Sequence, residues 1–500
     1  MNIRPQLTLD EFLALYAAGP DVMWAIFEEL STRYTDLDKR VTAAEARNTA
    51  LQLKVNELTA RLDKDSHNSN KPPSSDGLRK PPAPTPASLR KRSGRKPGGQ
   101  AGHSGSTLEY REKPDDEVEH RLEFCDGCSY DLSGVETVVD ETRQVFDVPS
   151  PPELKCTQHN CHCTTCPRCG KVCRGRFPAH ITSEVQYGEN IAATVVYLVN
   201  YQFLPYKRTV ELTRSLFNVS LSQGTVYNMC SRADYALEDV SEKIQEALIK
   251  SSLIHCDESG IRVCGMLYWL HLISNKYFTA YSCQKRRGKP GMEEMGILNE
   301  YKGRAVHDGW LPYFLFACAH ALCNVHHIRE LVAAFENFQQ TWAKDMIEVL
   351  LDGNEAVKSA VAEGKTHLSD YMLKKLNDRY DAAITAGLEV NPSLLGARPG
   401  RKKNTKRGAL VRRLQRDKAE TLAFLYNFEI PFDNNLAERD IRMIKAKQKI
   451  SGCFRSLDGA EMFCRIRGYL STMQKQGFDL FEAIRSVCRL DPIQPHFSSA

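Results

Sequence analysis

A chain of 500 residues with 42% hydrophobic content is long enough for several domains and apolar enough for real cores. Its net charge is only +5, and no apolar run approaches the roughly 18–20 residues of a membrane span, so no membrane partner is expected. The N-terminus lacks a basic start followed by an apolar core, so no secretory leader is expected, and the odd number of cysteines, 17, points to metal binding and buried thiols in a cytoplasmic protein rather than a disulfide framework.

Residues 1–62 read as an N-terminal helix and coiled coil. From 27 to 62 one heptad series runs Phe27, Tyr34, Val41, Asn48, Val55, Leu62, and a second runs Leu30, Leu37, Ala44, Leu51, Leu58. Leu in the second series suits d positions. The β-branched residues and single Asn of the first suit a positions of a parallel dimer. The competing reading is an amphipathic helix packed in a bundle.

Residues 63–106 change to Pro, Ser, Gly, Lys and Arg, a composition that cannot continue a helix. Arg95 and Lys96 lie there on an extended Gly/Pro backbone suited to tracking phosphates; a solvated linker is the plain alternative. Residues 107–180 hold two CxxC pairs, Cys125/Cys128 and Cys166/Cys169, 38 positions apart between Cys128 and Cys166. Four such thiols are the ligand set of one tetrahedral structural zinc. Cys161, His162, Cys163 and Cys173 crowd the second knuckle and compete in register, and a strand is expected near Thr142–Val148.

Residues 181–250 read as helical. Segments Lys207–Phe217 and Gln223–Leu237 flank a turn in which Ser222 caps the second. This is a helix-turn-helix pattern, with Gln223, Thr225, Tyr227 and Asn228 at the start of the recognition helix, and equally the pattern of an ordinary helical hairpin.

From 251 the period changes. Leu253-Ile254 reads as a short buried strand ended by a turn at Gly260, with Asp257 at its carboxyl end. Arg304–His307 has the same setting before Asp308 and Gly309. Strands are expected over Met266–Ser274 and Tyr277–Cys283, and an amphipathic helix over Cys323–Phe335. Cys323 and His326, at i and i+3 on that helix, read as packing and hydrogen bonding rather than metal ligands. Residues 335–420 look like a helical insertion, with a basic run that includes Arg401, Lys402, Lys403 and Arg407. Residues 421–455 return to the core and carry Glu438 on a helix; 456–500 are helical. Three carboxylates on two strands and a helix, Asp257, Asp308 and Glu438, have the donor chemistry to hold two hard cations. Arg442 and Lys445, at i+4 and i+7 from Glu438, share its helical face and suit a phosphate contact; an Arg442–Glu438 surface pair is the alternative.

Particular motifs sharpen this. Asn70-Lys71-Pro72-Pro73-Ser74-Ser75-Asp76, Lys96-Pro97-Gly98-Gly99-Gln100-Ala101-Gly102-His103, His255-Cys256-Asp257-Glu258-Ser259, Asn434-Asn435-Leu436-Ala437-Glu438-Arg439 and Arg455-Ser456-Leu457-Asp458-Gly459-Ala460 resemble the transposase of the insertion sequence 66 family over nearly the whole chain. The resemblance implies a multidomain α/β protein with a ribonuclease-H-like catalytic core interrupted by the helical insertion, preceded by the coiled coil, the zinc module and a helical DNA-binding region. It implies a nucleoid-associated bacterial DDE transposase acting on element ends and target DNA, with two magnesium or manganese ions on Asp257, Asp308 and Glu438. It also implies small accessory proteins of the same element. Two other function classes share these residues: a DNA-binding regulator with an inactive core, and a ribonuclease-H-like nuclease without strand transfer.

Overall fold

The computed structural model describes residues 8–62, 110–118, 120, 123–136, 138–139, 141–146, 154–395, 402–403 and 405–497. Arg95, Lys96 and Arg401, with the rest of 63–106, lie outside them. The chain divides into two compact units. One comprises Met1–Leu78, Leu237–Leu480 and Gln494–Ala500; the other comprises Arg79–Ala236 and Phe481–Ile493.

Helix α1 (Leu9–Ala17) starts at a capping box. The Thr8 hydroxyl accepts from the Glu11 amide, and the Glu11 carboxylate accepts from the Thr8 amide. Helix α2 (Pro20–Leu62) runs unbroken through both heptad series. Phe27, Leu30, Tyr34, Leu37, Val41, Leu51, Val55 and Leu58 are between 47% and 73% exposed, an apolar stripe without cover in the single chain.

Strands β1 (Cys163–Thr165) and β2 (Val172–Arg174) form an antiparallel hairpin around the second CxxC pair. The strand expected near Thr142 does not form over 142–146; its alternating residues, such as Val145, which is 90% exposed, have no sheet to face. Helices α3 (Glu189–Asn200), α4 (Tyr206–Phe217) and α5 (Gln223–Ala236) enclose a small core of Val195, Val219, Leu221 and Val226. Asn218 ends α4 in the left-handed region, at φ 51°. The Ser222 hydroxyl accepts from the Thr225 amide at 3.0 Å, the cap expected for α5. Helix α6 (Glu238–Lys250) leads into the sheet.

The sheet has five strands: β3 (Leu253–Val263), β4 (Met266–Ser274), β5 (Thr279–Gln284), β6 (Arg304–His307) and β7 (Ala319–Leu322), in spatial order β5-β4-β3-β6-β7. The first three form an antiparallel meander; β6 and β7 add parallel to β3. Gly260 does not end β3. The strand continues to Val263 because β4 pairs with it along its whole length, Gly260 opposite Trp269. The turn comes at Cys264-Gly265, both at positive φ (49° and 77°), the two-residue geometry that matches sheet twist. Short helices α7 (Lys289–Glu294) and α8 (Ile297–Glu300) precede β6.

After β7 come α9 (Asn324–Phe338), α10 (Thr341–Ala362) and α11 (Asp370–Val390), a two-residue hairpin of β8 (Leu394–Leu395) and β9 (Lys402–Lys403), and α12 (Lys406–Arg416), α13 (Lys418–Thr421) and α14 (Ala423–Tyr426). Trp342, Met346, Leu350, Tyr380, Ile384, Val411 and Leu414 are buried together with Val306 and Ala321, so the insertion shares one core with the parallel edge of the sheet. Gly387 permits the closest approach: a Cβ there would lie 2.7 Å from Val411 and 2.9 Å from Trp342. Helix α15 (Asn435–Ser451) then packs on β3, α16 (Leu457–Lys475) packs on β5, and α17 (Leu480–Cys488) follows. No helix among the described residues is long and apolar enough to cross a membrane.

Candidate active site

The pairing of β3 with β6 is Leu253 to Arg304, Ile254 to Ala305 and His255 to Val306, a constant offset of 51 positions. Asp257 and Asp308 are separated by the same 51 positions. Carried two residues beyond the last pair, the register sets them side by side where the parallel strands part. Asp257 is therefore mid-strand in β3, at the end of its parallel pairing rather than at the end of the strand. Burial pushes its carboxyl well above the usual range, and the negative charges of Glu258, Asp308 and Glu438 push the same way. A hydrogen bond from the Glu258 amide, at 2.8 Å, partly offsets this.

Glu438 arrives from 130 positions away, on the first turn of α15. Asn434, the residue at that helix's N-cap, does not cap it with its side chain. Its side-chain amide donates to the Cys256 carbonyl (2.8 Å), and its Oδ1 accepts from His255 Nδ1 (2.7 Å). Its backbone N–H meets Cys323 Sγ at 3.2 Å, and its carbonyl accepts from the Glu438 amide at 3.1 Å. Asn434 and His255 are 2% and 5% exposed. His255 and Asp257 are i and i+2 on a strand and so face the same side, the side covered by α15. Further along α15, Lys445 Nζ and Gln448 Nε2 both donate to the Gly260 carbonyl, at 3.3 and 3.2 Å.

Around Glu438 stand Arg442 Nη2 at 3.0 Å from Oε2, and His326 Nδ1 and Arg329 Nη1 at 3.8 and 3.9 Å from Oε1. Oε1 and His326 Nδ1 are shielded from solvent and have no hydrogen-bond partner among the described residues. Cys323, His326 and Glu438 bring one ligand atom each within 4.8 Å of one another. Burial holds His326 below its ordinary range, against the pull of Glu438, and pushes the Cys323 thiol up to about 12.

The neighbouring acids have other partners. Glu258 is 3% exposed and takes two hydrogen bonds from Arg287 (2.7 and 3.0 Å) and one from the Tyr313 hydroxyl (2.5 Å). Arg287 lies between the Trp269 and Trp310 rings, 4.8 and 4.1 Å from their centroids. The Trp310 amide donates to Asp308 Oδ1 at 2.9 Å, so this aromatic clamp also steadies the loop of the second acid. Asp440 pairs with Lys475 at 2.6 Å and ties α15 to α16.

Of the basic residues singled out in the sequence, Arg442 is paired with Glu438 and Lys445 with a carbonyl, as above. Arg407 stacks on Phe338 at 3.7 Å, and Lys402 and Lys403 form β9. Gln223, Tyr227 and Asn228 are exposed on α5. The two CxxC knuckles share one backbone design. The amides of Cys125 and Cys166 donate to the carbonyls of Tyr130 and Lys171, and those of Ser129 and Gly170 donate back to Cys125 and Cys166. Amides of Gly127 and Cys128, and of Arg168 and Cys169, hold the Cys125 and Cys166 thiols below their usual range. Among the described residues, no three of these sulfurs gather within 4.8 Å of one another.

Pattern reading gave no role to Asn434, His255 or the Glu258–Arg287–Tyr313 group, and it read His326 as packing and hydrogen bonding, whereas His326 Nδ1 makes no hydrogen bond among the described residues and faces Glu438. Local signals existed for two of them: His255 precedes Asp257 by two in a strand, and His326 follows Cys323 by three on a helix. Nothing local marks the contacts of the others.

The family described as Transposase IS66 family matches residues 184–462, more than half of the chain, and a family of unknown function matches residues 19–109. No curated protein matches the chain. Among solved structures, a Drosophila P element transposase strand transfer complex is similar at 9% identity and a TM-score of 0.30, over 60% of this chain and 94% of that one.

Proposed function

The chain belongs to the IS66 transposase family, and from that premise we propose that it is a DDE transposase, which binds the ends of its insertion element, hydrolyses a phosphodiester bond at each and joins the freed 3′ ends to target DNA. The core in this reading is ribonuclease-H-like, built from 251–334 and 421–455 around the insertion 335–420. The sheet order β5-β4-β3-β6-β7, a meander extended by two parallel strands, supports it.

The observation that carries the reading is the common register offset of Asp257 and Asp308, with the charges of Asp308 and Glu438 both bearing on the buried Asp257 carboxyl. The donor set fits hard cations. Asp257 is opposed in its ionisation by burial and by its fellow acids, and Glu438 keeps a buried oxygen without a hydrogen bond, both of which a bound cation relieves. Asp257, Asp308 and Glu438 would hold the magnesium or manganese ions, with Asp257, on which the charges of the other two bear, as the shared ligand. Bound there, the ions supply Lewis-acid stabilisation of charge at phosphorus and of the attacking and leaving oxygens. Water displaces the element's 3′ oxygen from phosphorus, leaving a 3′ hydroxyl and a 5′ phosphate on the flank. The 3′ hydroxyl then attacks a target phosphate and displaces the target strand's 3′ oxygen. Arg442, 61% exposed, steadies Glu438 until DNA arrives and then turns to phosphate with Lys445. Arg95, Lys96, Arg401, Lys402, Lys403 and Arg407 contact DNA phosphates. The exposed stripe of α2 pairs two chains in parallel, and the CxxC knuckles of Cys125, Cys128, Cys166 and Cys169 would hold one structural zinc within the module 107–180 once their sulfurs are drawn together.

A strand-transfer assay with a pre-cleaved element end tests the reading. Asp257→Asn, Asp308→Asn and Glu438→Gln each abolish both cleavage and joining while DNA binding persists. Glu258→Gln, by contrast, acts through lost stability of the Arg287 clamp. Wild-type joining rates in all three variants would refute the assignment and favour a DNA-binding regulator. Hydrolysis without joining in the unaltered protein would favour a nuclease.

A further inference from the structure

We propose that Cys323, His326 and Glu438 form a second metal site, selective for zinc or a similarly soft divalent cation, and that filling it withdraws Glu438 from the magnesium pair and silences the enzyme. The inference rests on the reading of Glu438 as a ligand of that pair.

The donor set argues first. Thiolate, imidazole and carboxylate form a zinc ligand set; magnesium takes oxygen ligands and has no use for the first two. Cys323, at the N-cap of α9, and His326 project from the same turn, three residues apart. Glu438 closes the cluster from α15, and the three ligand atoms lie within 4.8 Å of one another. Tetrahedral zinc, with bonds of about 2.3 Å to sulfur and about 2.0–2.1 Å to nitrogen or oxygen, sets two ligands about 3.3–3.6 Å apart. The 3.8 Å between His326 Nδ1 and Glu438 Oε1 is already near that span, and the widest pair, within 4.8 Å, needs at most about 1.3 Å of closure.

The second argument is what these atoms lack. His326 Nδ1 and Glu438 Oε1 are buried, 3.8 Å apart, and neither makes a hydrogen bond among the described residues. Two buried polar atoms facing each other across a gap too wide for a hydrogen bond are costly to leave so, and an ion between them satisfies both. The third argument is the surrounding shell. The Asn434 amide already points at Cys323 Sγ, at 3.2 Å, the kind of outer hydrogen bond that steadies a metal-bound thiolate. Cys323 enters as the thiolate, its proton released to solvent as the ion binds. Because Glu438 is common to both sites, zinc and magnesium compete for it.

The test is zinc titration of the full-length protein against a chromophoric chelator, beside magnesium-supported cleavage at rising zinc. Cys323→Ser and His326→Gln are each expected to hold one zinc fewer than the unaltered chain, the cysteine module keeping its own. Loss of an outer-shell partner typically costs roughly 10–100-fold in metal affinity. Loss of a ligand should therefore raise the half-inhibitory zinc concentration by about 100-fold, measured against each variant's own zinc-free rate. His326, whose side chain is 14% exposed, carries the test if Cys323→Ser does not fold. An unchanged zinc count in both variants overturns the site. A lower count with unchanged zinc inhibition overturns the antagonism. Glu438→Gln separates the two readings: if it loses the zinc but still cleaves with magnesium, the soft site stands and the catalytic assignment of Glu438 falls.

Discussion

Asn434→Ala is the most informative single perturbation, because the side chain it removes touches no proposed metal ligand and yet should disarm one. The substitution removes two buried hydrogen bonds, to His255 Nδ1 at 2.7 Å and to the Cys256 carbonyl at 2.8 Å. It leaves a donor and an acceptor unsatisfied beneath α15. Each such orphan costs about 1–3 kcal/mol, so the variant should lose about 2–6 kcal/mol, seen as a lower urea midpoint by tryptophan fluorescence. The functional loss is separate. Glu438 lies one turn beyond Asn434, and the Asn434 carbonyl accepts its amide hydrogen bond. A displacement of that turn by about 1 Å costs on the order of 100-fold in rate. Strand transfer should fall by that factor and half-saturating magnesium should rise, with affinity for element-end DNA unchanged. Asn434→Asp should not rescue it. The carboxylate keeps an acceptor for His255, loses the donor to Cys256 and adds a charge to an already crowded set of acids. An alanine variant with wild-type midpoint and wild-type magnesium dependence would refute the reasoning.

Three further outcomes are expected. Leu37→Glu with Leu51→Glu should halve the mass of the protein by light scattering, since both leucines are more than half exposed on α2 and have the spacing of a seam; an unchanged mass refutes the dimer. A chelator should unfold the reduced 107–180 module if zinc holds its knuckles, because structural zinc contributes on the order of 10–16 kcal/mol of apparent folding free energy in small domains; dispersed spectra without metal would contradict this. Lys447 is 7% exposed, with its ammonium 3.5 Å above the Phe454 ring, and burial brings it down to about 8. Below pH 8 both folded and unfolded chains carry the proton, and the folded state bears a cost on the order of 3 kcal/mol. Between pH 8 and the ordinary lysine range only the unfolded chain keeps it, so stability rises with pH. Lys447→Met should therefore raise the melting temperature at pH 7 and gain less as pH climbs past 8; an equal gain at pH 7 and pH 10 would refute it.

The elements that the sequence determined by itself are those written in local pattern. The long helix under the heptads, the Ser222 cap, the helices around it and the strands before each aspartate are all patterns within a few residues, and each forms. Even the pairing of the first two acids was latent in their separation, since a parallel ladder keeps a constant offset. Gly260 shows where local reading fails. A glycine is permissive, not obligatory, at a turn, and pairing with β4 along the whole strand outweighed it. The partition of the acids was decided only in three dimensions. Asp257 and Glu258 are adjacent in sequence, but a strand sends them to opposite faces, one toward α15 and the other into the Arg287–Tyr313 pocket. Glu438 comes near Asp257 with its turn tied at Asn434, which reaches back 178 positions to the Cys256 carbonyl. A hydrogen bond of that span leaves no periodicity, spacing or composition by which it could be read. It exists because folding puts a buried carbonyl and a buried imidazole in need of partners at the one place where that side chain arrives.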